Sequence, residues 1–310
     1  MKKLRRKGLS TRRAFPGIIL LIALLGIMAP GMPGWSAEEV KPGGAPAAMP
    51  EARTTPQPEP AAMPEARTTP QPEKILQQTC DFLKSTEQFS FKAEVTDDRV
   101  YTGGKKLQFA FDLEAYVHRP DKVRINAEGD LENKQFFYDG KTITLYDELG
   151  NHYAVLDAPG TIDGAMEKAS QEYGLRISLV DLAEGNTCAL MTKGVKHALY
   201  VGEGLVRGIK CHHLAFDKDD IQWQIWIDAG EKPLIRKLLI NQKKLPAAPQ
   251  WTAYFTDWNF SPQLTDDLFV FTPPQGALKT RFVSLKEMAA QQAKKPRAVK
   301  KKAVAKKEKQ

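Results

Sequence analysis

Residues 195–260 read VKHALYVGEGLVRGIKCHHLAFDKDDIQWQIWIDAGEKPLIRKLLINQKKLPAAPQWTAYFTDWNF, and this stretch decides the fold. Within it, apolar side chains take every second position at Ile221, Trp223, Ile225 and Ile227. Such alternation, rich in β-branched and aromatic residues, is typical of a half-buried strand. Glycines interrupt the apolar runs where turns must form. The stretch therefore predicts successive antiparallel strands joined by short turns.

The same alternation predicts strands over much of residues 89–156, most clearly in QFAFDLEAYV at 108–117. Helical spacing predicts a first helix over 73–87 and a helical insertion over 161–173 and 175–183. With about ten or eleven strands, the sheet must curl, split or close. The predicted fold class is mainly β (α+β): a large curved antiparallel sheet that forms an incomplete barrel, with helices covering its concave side.

A concave apolar sheet would offer a cavity for an acyl chain or another apolar ligand. The candidate ligand-binding residues are Phe109, Phe111, Leu113, Trp223, Ile225 and Phe255. The same side chains could instead fill a packed core, because periodicity defines two faces without telling which one is concave. Trp226 and Trp258 are predicted on the faces opposite to Trp223 and Phe255.

The N-terminus has the layout of a secretory signal peptide over residues 1–37. A basic segment precedes an apolar run at 17–30, which is short for a membrane span of about 20 residues. We therefore predict export to the periplasm, with an uncleaved inner-membrane anchor facing the periplasm as the alternative. Residues 11–15, TRRAF, resemble a twin-arginine motif, although Pro16 departs from it. The general secretory route accounts for these charges equally well.

Low-complexity segments flank the predicted β domain, which spans residues 74–283. Residues 38–73 are proline-rich and contain PAAMPEARTTPQPE twice in tandem, which predicts an extended, disordered linker. Residues 284–310 predict a short helix followed by a lysine-rich disordered tail.

The positive charge lies at the two ends of the chain. Residues 1–13 carry seven Lys and Arg without an acid, and residues 294–310 carry nine against one Glu, so residues 14–293 are net negative. The net positive charge of the whole chain therefore does not predict a nucleic-acid partner. In the periplasm the tail would instead meet an anionic envelope surface. Each lysine near the membrane would contribute about 1 kcal/mol to the free energy of binding. A solvating tail without a partner is the alternative.

Three cysteines, Cys80, Cys188 and Cys211, are too few for a disulfide scaffold. We predict a Cys188–Cys211 disulfide, because the intervening residues could form adjacent elements. Three buried thiols are the alternative.

No motif in the sequence predicts a catalytic or metal site. His212 and His213 are neighbours on a predicted strand and would point to opposite faces, so they are poorly placed to share one ion. Nucleophile-elbow, phosphate-loop and zinc-protease motifs are missing from the sequence. We predict a protein that is not an enzyme and uses no cofactor.

Five segments together resemble an uncharacterised family of predicted periplasmic proteins, a domain of unknown function. They are CHHLAF at 211–216, WQIWID at 223–228, PLIRK at 233–237, FTDWN at 255–259 and FVFTPP at 269–274. The resemblance covers about residues 73–283. That family is similar in fold to the LolA/LolB/LppX lipoprotein-carrier group, in which helices form a lid over a hydrophobic cavity. The resemblance implies binding of lipids or acylated proteins, but it carries over no ligand-binding residue.

The leading hypothesis is an exported carrier or sensor that holds an apolar ligand, with the helical residues 161–183 as a gate. Each buried CH₂ group would contribute about 0.8 kcal/mol to binding. The alternative is an envelope interaction or stress-sensing module with a packed sheet and no small ligand. A hydrolase with an unrecognised site is a third, weaker hypothesis.

Overall fold

The computed structural model describes residues 70–131 and 133–294. The predicted signal peptide, the linker up to residue 69 and the lysine-rich tail from residue 295 lie outside these residues. What the sequence predicts for them stays a prediction.

Twelve strands form a single sheet in the described part of the chain. They are β1 (Gln88–Val100), β2 (Lys106–His118), β3 (Lys122–Gly129), β4 (Asn133–Tyr138), β5 (Thr142–Asp147), β6 (His152–Asp157), β7 (His197–Val206), β8 (Ile209–Asp217), β9 (Gln222–Asp228), β10 (Ile235–Asn241), β11 (Gln250–Asn259) and β12 (Leu278–Thr280). The helices are α1 (Pro72–Ser85), α2 (Ile162–Tyr173), α3 (Thr187–Thr192) and α4 (Leu285–Lys294). Short 3₁₀ turns lie at Val180–Leu182 and Asp266–Phe269.

Two antiparallel meanders make up the sheet. Its strand order is β12-β6-β5-β4-β3-β2-β1-β11-β10-β9-β8-β7, so the first meander meets the second where β1 pairs with β11. The outer strands β12 and β7 do not pair with each other, and the curved sheet stays open. This confirms the predicted mainly β, incomplete-barrel fold. The structure adds one parallel pair, β12 beside β6.

One face of the sheet carries the core. Alternate residues of each long strand are buried there, as in Phe89, Phe91, Ala93 and Val95 of β1. The predicted first helix is confirmed as α1, which buries Leu76 and Leu83 in the same cluster. Residues of α1 and α2 belong to the same cluster, so the helices cover this face, which we call the concave face.

The insertion, residues 161–195, differs from the prediction in its second half. Residues 175–183 are predicted to be helical, but α2 ends at Gly174, whose φ is +66°. After this glycine Leu175, Ile177 and Leu179 are buried at every second position, and only Val180–Leu182 form a 3₁₀ turn. The alternation of apolar residues in LRISL is a signal for extended chain that the helical prediction missed. We call residues 175–183 the plug.

A bulge in β11 corrects the predicted position of Trp258. Thr256 pairs with Lys92 but Asn259 pairs with Ser90, so β11 carries one extra residue, and Asp257 adopts a φ of +52°. The extra residue shifts the alternation and returns Trp258 to the face of Phe255. Their rings stack with centroids 5.8 Å apart. Trp226 does lie opposite Trp223, where it stacks on His213.

The disulfide joins Cys80 of α1 to Cys188 of α3, with Cα atoms 5.7 Å apart. The predicted Cys188–Cys211 pair is therefore wrong. Cys211 is a buried free thiol on β8, and burial raises its pKa to about 11. Packing of α3 against α1 sets the pairing, and the spacing of cysteines along the chain does not reveal that contact.

Candidate ligand-binding site

Five of the six predicted ligand-binding residues are buried on the concave face: Phe111, Leu113, Trp223, Ile225 and Phe255. Phe109 is only half-buried, towards the outer end of β2, with the Arg99 guanidinium 5.8 Å from its ring centroid. The structure thus brings five of the candidates into one apolar surface and leaves Phe109 at its margin.

Apolar side chains cross the sheet in a continuous row. Pairing between neighbouring strands aligns Leu214, Ile225, Leu238, Ala253, Val95 and Phe111. All six residues are buried. Six strands spaced by about 4.8 Å give a row roughly 24 Å wide. An extended acyl chain could lie along a row of this length.

The plug contributes apolar side chains of its own to the core cluster that includes this surface. Leu175, Ile177, Leu179, Val180 and Leu182 are buried in the same cluster as the sheet residues. Leu179 has a φ of +63°, a left-handed conformation that costs a leucine about 1 kcal/mol or more. The plug thus adds to the core, beside α1 and α2, a segment that forms no strand and no long helix.

Arg119, in the turn between β2 and β3, holds the plug. Its guanidinium donates hydrogen bonds to the carbonyl oxygens of Ala183, of Leu182 at 3.2 Å and of Leu83 at 3.4 Å. Burial lowers the pKa of this side chain. The contact ties one turn of the sheet to the last turn of α1 and to the end of the plug. The sequence offered no signal for it beyond a single arginine before a proline.

Both ends of the insertion are fixed to the rest of the fold. At the start of α2, the Ile162 amide donates to the Pro120 carbonyl at 2.8 Å, and the Thr161 hydroxyl accepts from the Gly164 amide. At the far end, Cys188 is bonded to Cys80. The plug lies between these two attachments.

A buried carboxyl group follows the plug. Burial is the main cause that raises the pKa of Glu184 to about 8, and the nearby carboxylates of Asp181, Asp163 and Glu167 add to it. Asp163 accepts a hydrogen bond from the Gly185 amide at 3.1 Å, which holds this turn against α2. Glu184 was not predicted, because its sequence gives no sign that it is buried.

Trp223 has an unusual environment on the concave face. Its indole is 3% exposed and stacks on Phe216 with centroids 4.1 Å apart. The indole Nε1 is buried and has no hydrogen-bond partner among the described residues. Trp258, in the same core, donates its Nε1–H to the Ile235 carbonyl at 3.0 Å.

An open cleft of about 480 Å³ lies between α1 and the β9–β10 turn. Its apolar wall includes Ile75, Phe82 and Ile227, and its polar lining includes His212 and Asp228. Ile227 also belongs to the core cluster, so the cleft adjoins the concave interior.

The adjacent histidines face different groups, as predicted. His212 Nδ1 lies 3.2 Å from the Tyr200 hydroxyl, whereas His213 Nε2 lies 2.9 Å from Gln224 Oε1. In the part of the chain that the structure describes, no three His, Cys, Asp or Glu residues are grouped to hold a metal ion.

A family model described as "Predicted periplasmic protein (DUF2092)" matches residues 72–283. The chain belongs to this family. The match confirms the family that the sequence resembles and the predicted periplasmic location. No helix within residues 70–131 and 133–294 is long and apolar enough to cross a membrane.

Several solved structures are similar to the chain at low sequence identity. Lipoprotein LppX of Mycobacterium tuberculosis is 13% identical, over 62% of this chain and 97% of LppX, with a TM-score of 0.38. A LolA superfamily protein of Nitrosomonas europaea is 8% identical, over 64% and 97%, with a TM-score of 0.32. A chain of the Pseudomonas aeruginosa MucA/MucB complex is 14% identical, over 64% and 60%, with a TM-score of 0.34. None of the curated proteins matches the chain.

Proposed function

We propose that this protein is a periplasmic, non-enzymatic binding protein that holds a lipid, an acyl chain or an acylated protein against the concave face of its sheet. The observation that supports this proposal is the continuous apolar row from Leu214 to Phe111, which shares its core cluster with a plug that is not part of the sheet.

Ligand and plug would exchange places on the apolar surface. Fully burying one leucine or isoleucine side chain contributes about 1.5–3 kcal/mol, and each CH₂ group of an acyl chain about 0.8 kcal/mol. A ligand with a dozen or more methylenes therefore offsets the loss of the plug's apolar contacts. The attachments at Ile162 and Cys188 keep the displaced segment close for closure.

Native mass spectrometry of the protein purified from the periplasm, followed by lipid extraction, tests the proposal. We expect a bound species of acyl-chain mass that is lost in Phe111→Asp and kept in Phe109→Asp, because Phe111 is buried within the apolar surface whereas Phe109 is half-buried at its margin. Circular dichroism checks that both variants fold. A protein that is empty and also fails to take up a fluorescent fatty acid contradicts the proposal.

The interaction module is a second candidate, favoured by the position of β7 at the edge of the sheet that residues 70–131 and 133–294 form. This strand is ten residues long, and Leu199, Val201 and Leu205 are 60%, 49% and 74% exposed. A long edge with exposed apolar side chains is a ready template for pairing with another strand. A photo-crosslinker at Leu199 should then capture a defined envelope protein in cells, and a Leu205→Lys variant should lose that product.

The lysine-rich tail would add an electrostatic contact with the envelope. Binding of the full chain to vesicles containing anionic lipid should fall on deletion of residues 295–310 and on addition of salt. Equal binding with and without the tail contradicts this contact.

A further inference from the structure

We propose that Trp223 is the polar anchor of the concave site and donates its indole N–H to the carbonyl oxygen of a bound acyl ester or amide. The assignment rests on the proposed function and narrows the ligand class. It favours chains that enter the site with their carbonyl group over plain hydrocarbon or alkyl-ether chains.

The first argument is the unpaired donor itself. Buried polar groups nearly always have a hydrogen-bond partner, and a buried donor without one destabilises the fold. The Trp223 side chain is only 3% exposed, and its Nε1 has no hydrogen-bond partner among the described residues. Phenylalanine would give the same stacking on Phe216 without this cost.

Trp258 shows that an indole in this core can be satisfied by the fold. Its Nε1–H donates to the Ile235 carbonyl at 3.0 Å, while its ring packs among Phe89, Phe91 and Phe255. The same residue type therefore has a protein partner at one position of the core and none at the other. A ligand acceptor accounts for this difference.

The second argument is the position of Trp223 at the end of the apolar surface. It pairs with Phe216 and Ile240, both apolar. The next pair, Asp217 with Gln222, points to the opposite face, but the β8–β9 turn that precedes Trp223 carries the half-buried Ile221 and the exposed Asp219 and Asp220. In the other direction along β9, Ile225 and Ile227 continue the buried surface. Trp223 thus lies at the boundary between an apolar surface and a polar rim.

An acyl ester has the same order of groups. Its hydrocarbon chain matches the surface beyond Ile225, its carbonyl oxygen accepts a single hydrogen bond at the boundary, and its head group lies towards solvent. A neutral N–H donor suits a neutral carbonyl oxygen, and the indole supplies one donor and no acceptor.

Two probes of matched length test the assignment: methyl palmitate and hexadecyl methyl ether, which lacks the carbonyl oxygen. Their affinities are measured by displacement of a fluorescent fatty acid from the full chain. We expect the wild-type protein to prefer the ester by about tenfold, which corresponds to about 1.4 kcal/mol. In Trp223→Phe the ratio should fall to about one.

Trp258→Phe is the matched control. It removes an indole N–H whose acceptor belongs to the protein, so it should keep the tenfold ratio. Equal affinities for ester and ether in the wild-type protein overturn the assignment alone. An unchanged ratio in Trp223→Phe overturns it as well. Failure of both probes to bind overturns the proposed function and the assignment with it.

Discussion

The Nη2 atom of Arg119 lies 3.2 Å from the carbonyl oxygen of Leu182, a residue 63 positions later in the chain. This hydrogen bond fastens the plug to the β2–β3 turn. The acceptors of this guanidinium in the structure are backbone carbonyls, including those of Leu83 and Ala183. Closure of the plug therefore depends strongly on one buried cation.

Replacing Arg119 with Met should loosen the plug. The variant loses charge-assisted hydrogen bonds, and the free energy of unfolding should fall by about 2–3 kcal/mol. Hydrogen exchange of amides in residues 175–184 should become faster. Arg124→Met is the control, because Arg124 also donates to a carbonyl, that of Leu268 at 3.3 Å, but is remote from the plug. Unchanged exchange in Arg119→Met would contradict the role given to this residue.

Removal of the disulfide should weaken the fold substantially. Closing a loop of about 100 residues stabilises a protein by up to about 4.7 kcal/mol, so Cys80→Ser/Cys188→Ser should lose about 3–5 kcal/mol in chemical denaturation. The wild-type protein should show one free thiol, Cys211, that reacts only after unfolding, because it is buried and its pKa is raised. Three reactive thiols in the unfolded, unreduced protein would show that the bridge is not formed.

Glu184 should make stability depend on pH. Its pKa is raised from 4.5 to about 8 in the fold, so between these values the folded protein binds a proton that the unfolded chain has released. This contribution is complete below about pH 4.5 and is lost as the pH rises towards 8. The free energy of unfolding of Glu184→Gln minus that of the wild type should therefore increase by about 2–4 kcal/mol when the pH is raised from 5 to 8.5.

Urea denaturation at both pH values measures this effect. Glu172→Gln, on the exposed side of α2, is the control and should show no such gain. A parallel pH dependence of wild type and Glu184→Gln would mean that the Glu184 carboxyl is not the group responsible.

Two neighbouring phenylalanines on β2 should differ in their contribution to stability. Phe111 is buried in the concave row, whereas Phe109 is half-buried at its margin. Phe111→Ala should cost about 3–5 kcal/mol, the usual range for a buried phenylalanine, and Phe109→Ala clearly less. The comparison uses the midpoint and slope of urea unfolding, and equal losses would contradict the placement of Phe109 outside the core.

Strand alternation predicted most of the fold because each strand has one buried and one exposed face. It failed at Trp258, since a single extra residue at Asp257 inverts the faces, and the sequence has no glycine there to reveal a bulge. The binary pattern also predicted the buried candidates on β2, β9 and β11.

What the sequence could not predict depends on contacts between distant elements. The hydrogen bonds of Arg119, the burial of Glu184 and the bond between Cys80 and Cys188 all arise where the insertion meets α1 and the β2–β3 turn. Local propensity carries no information about which turn reaches which helix. The plug is the exception, because Leu175, Ile177 and Leu179 alternate in the sequence and this pattern indicates extended chain.

The bond between Cys80 and Cys188 also relates the protein to its compartment. Disulfides form in the oxidising periplasm, whereas cysteine thiols are kept reduced in the cytosol. The first helix and the end of the insertion are separated by 108 residues, so the bond closes only after both have reached the oxidising side. Before export, the far end of the insertion has no covalent attachment to α1. Crossing the inner membrane is thus the step that allows the end of the insertion to be joined covalently to the first helix.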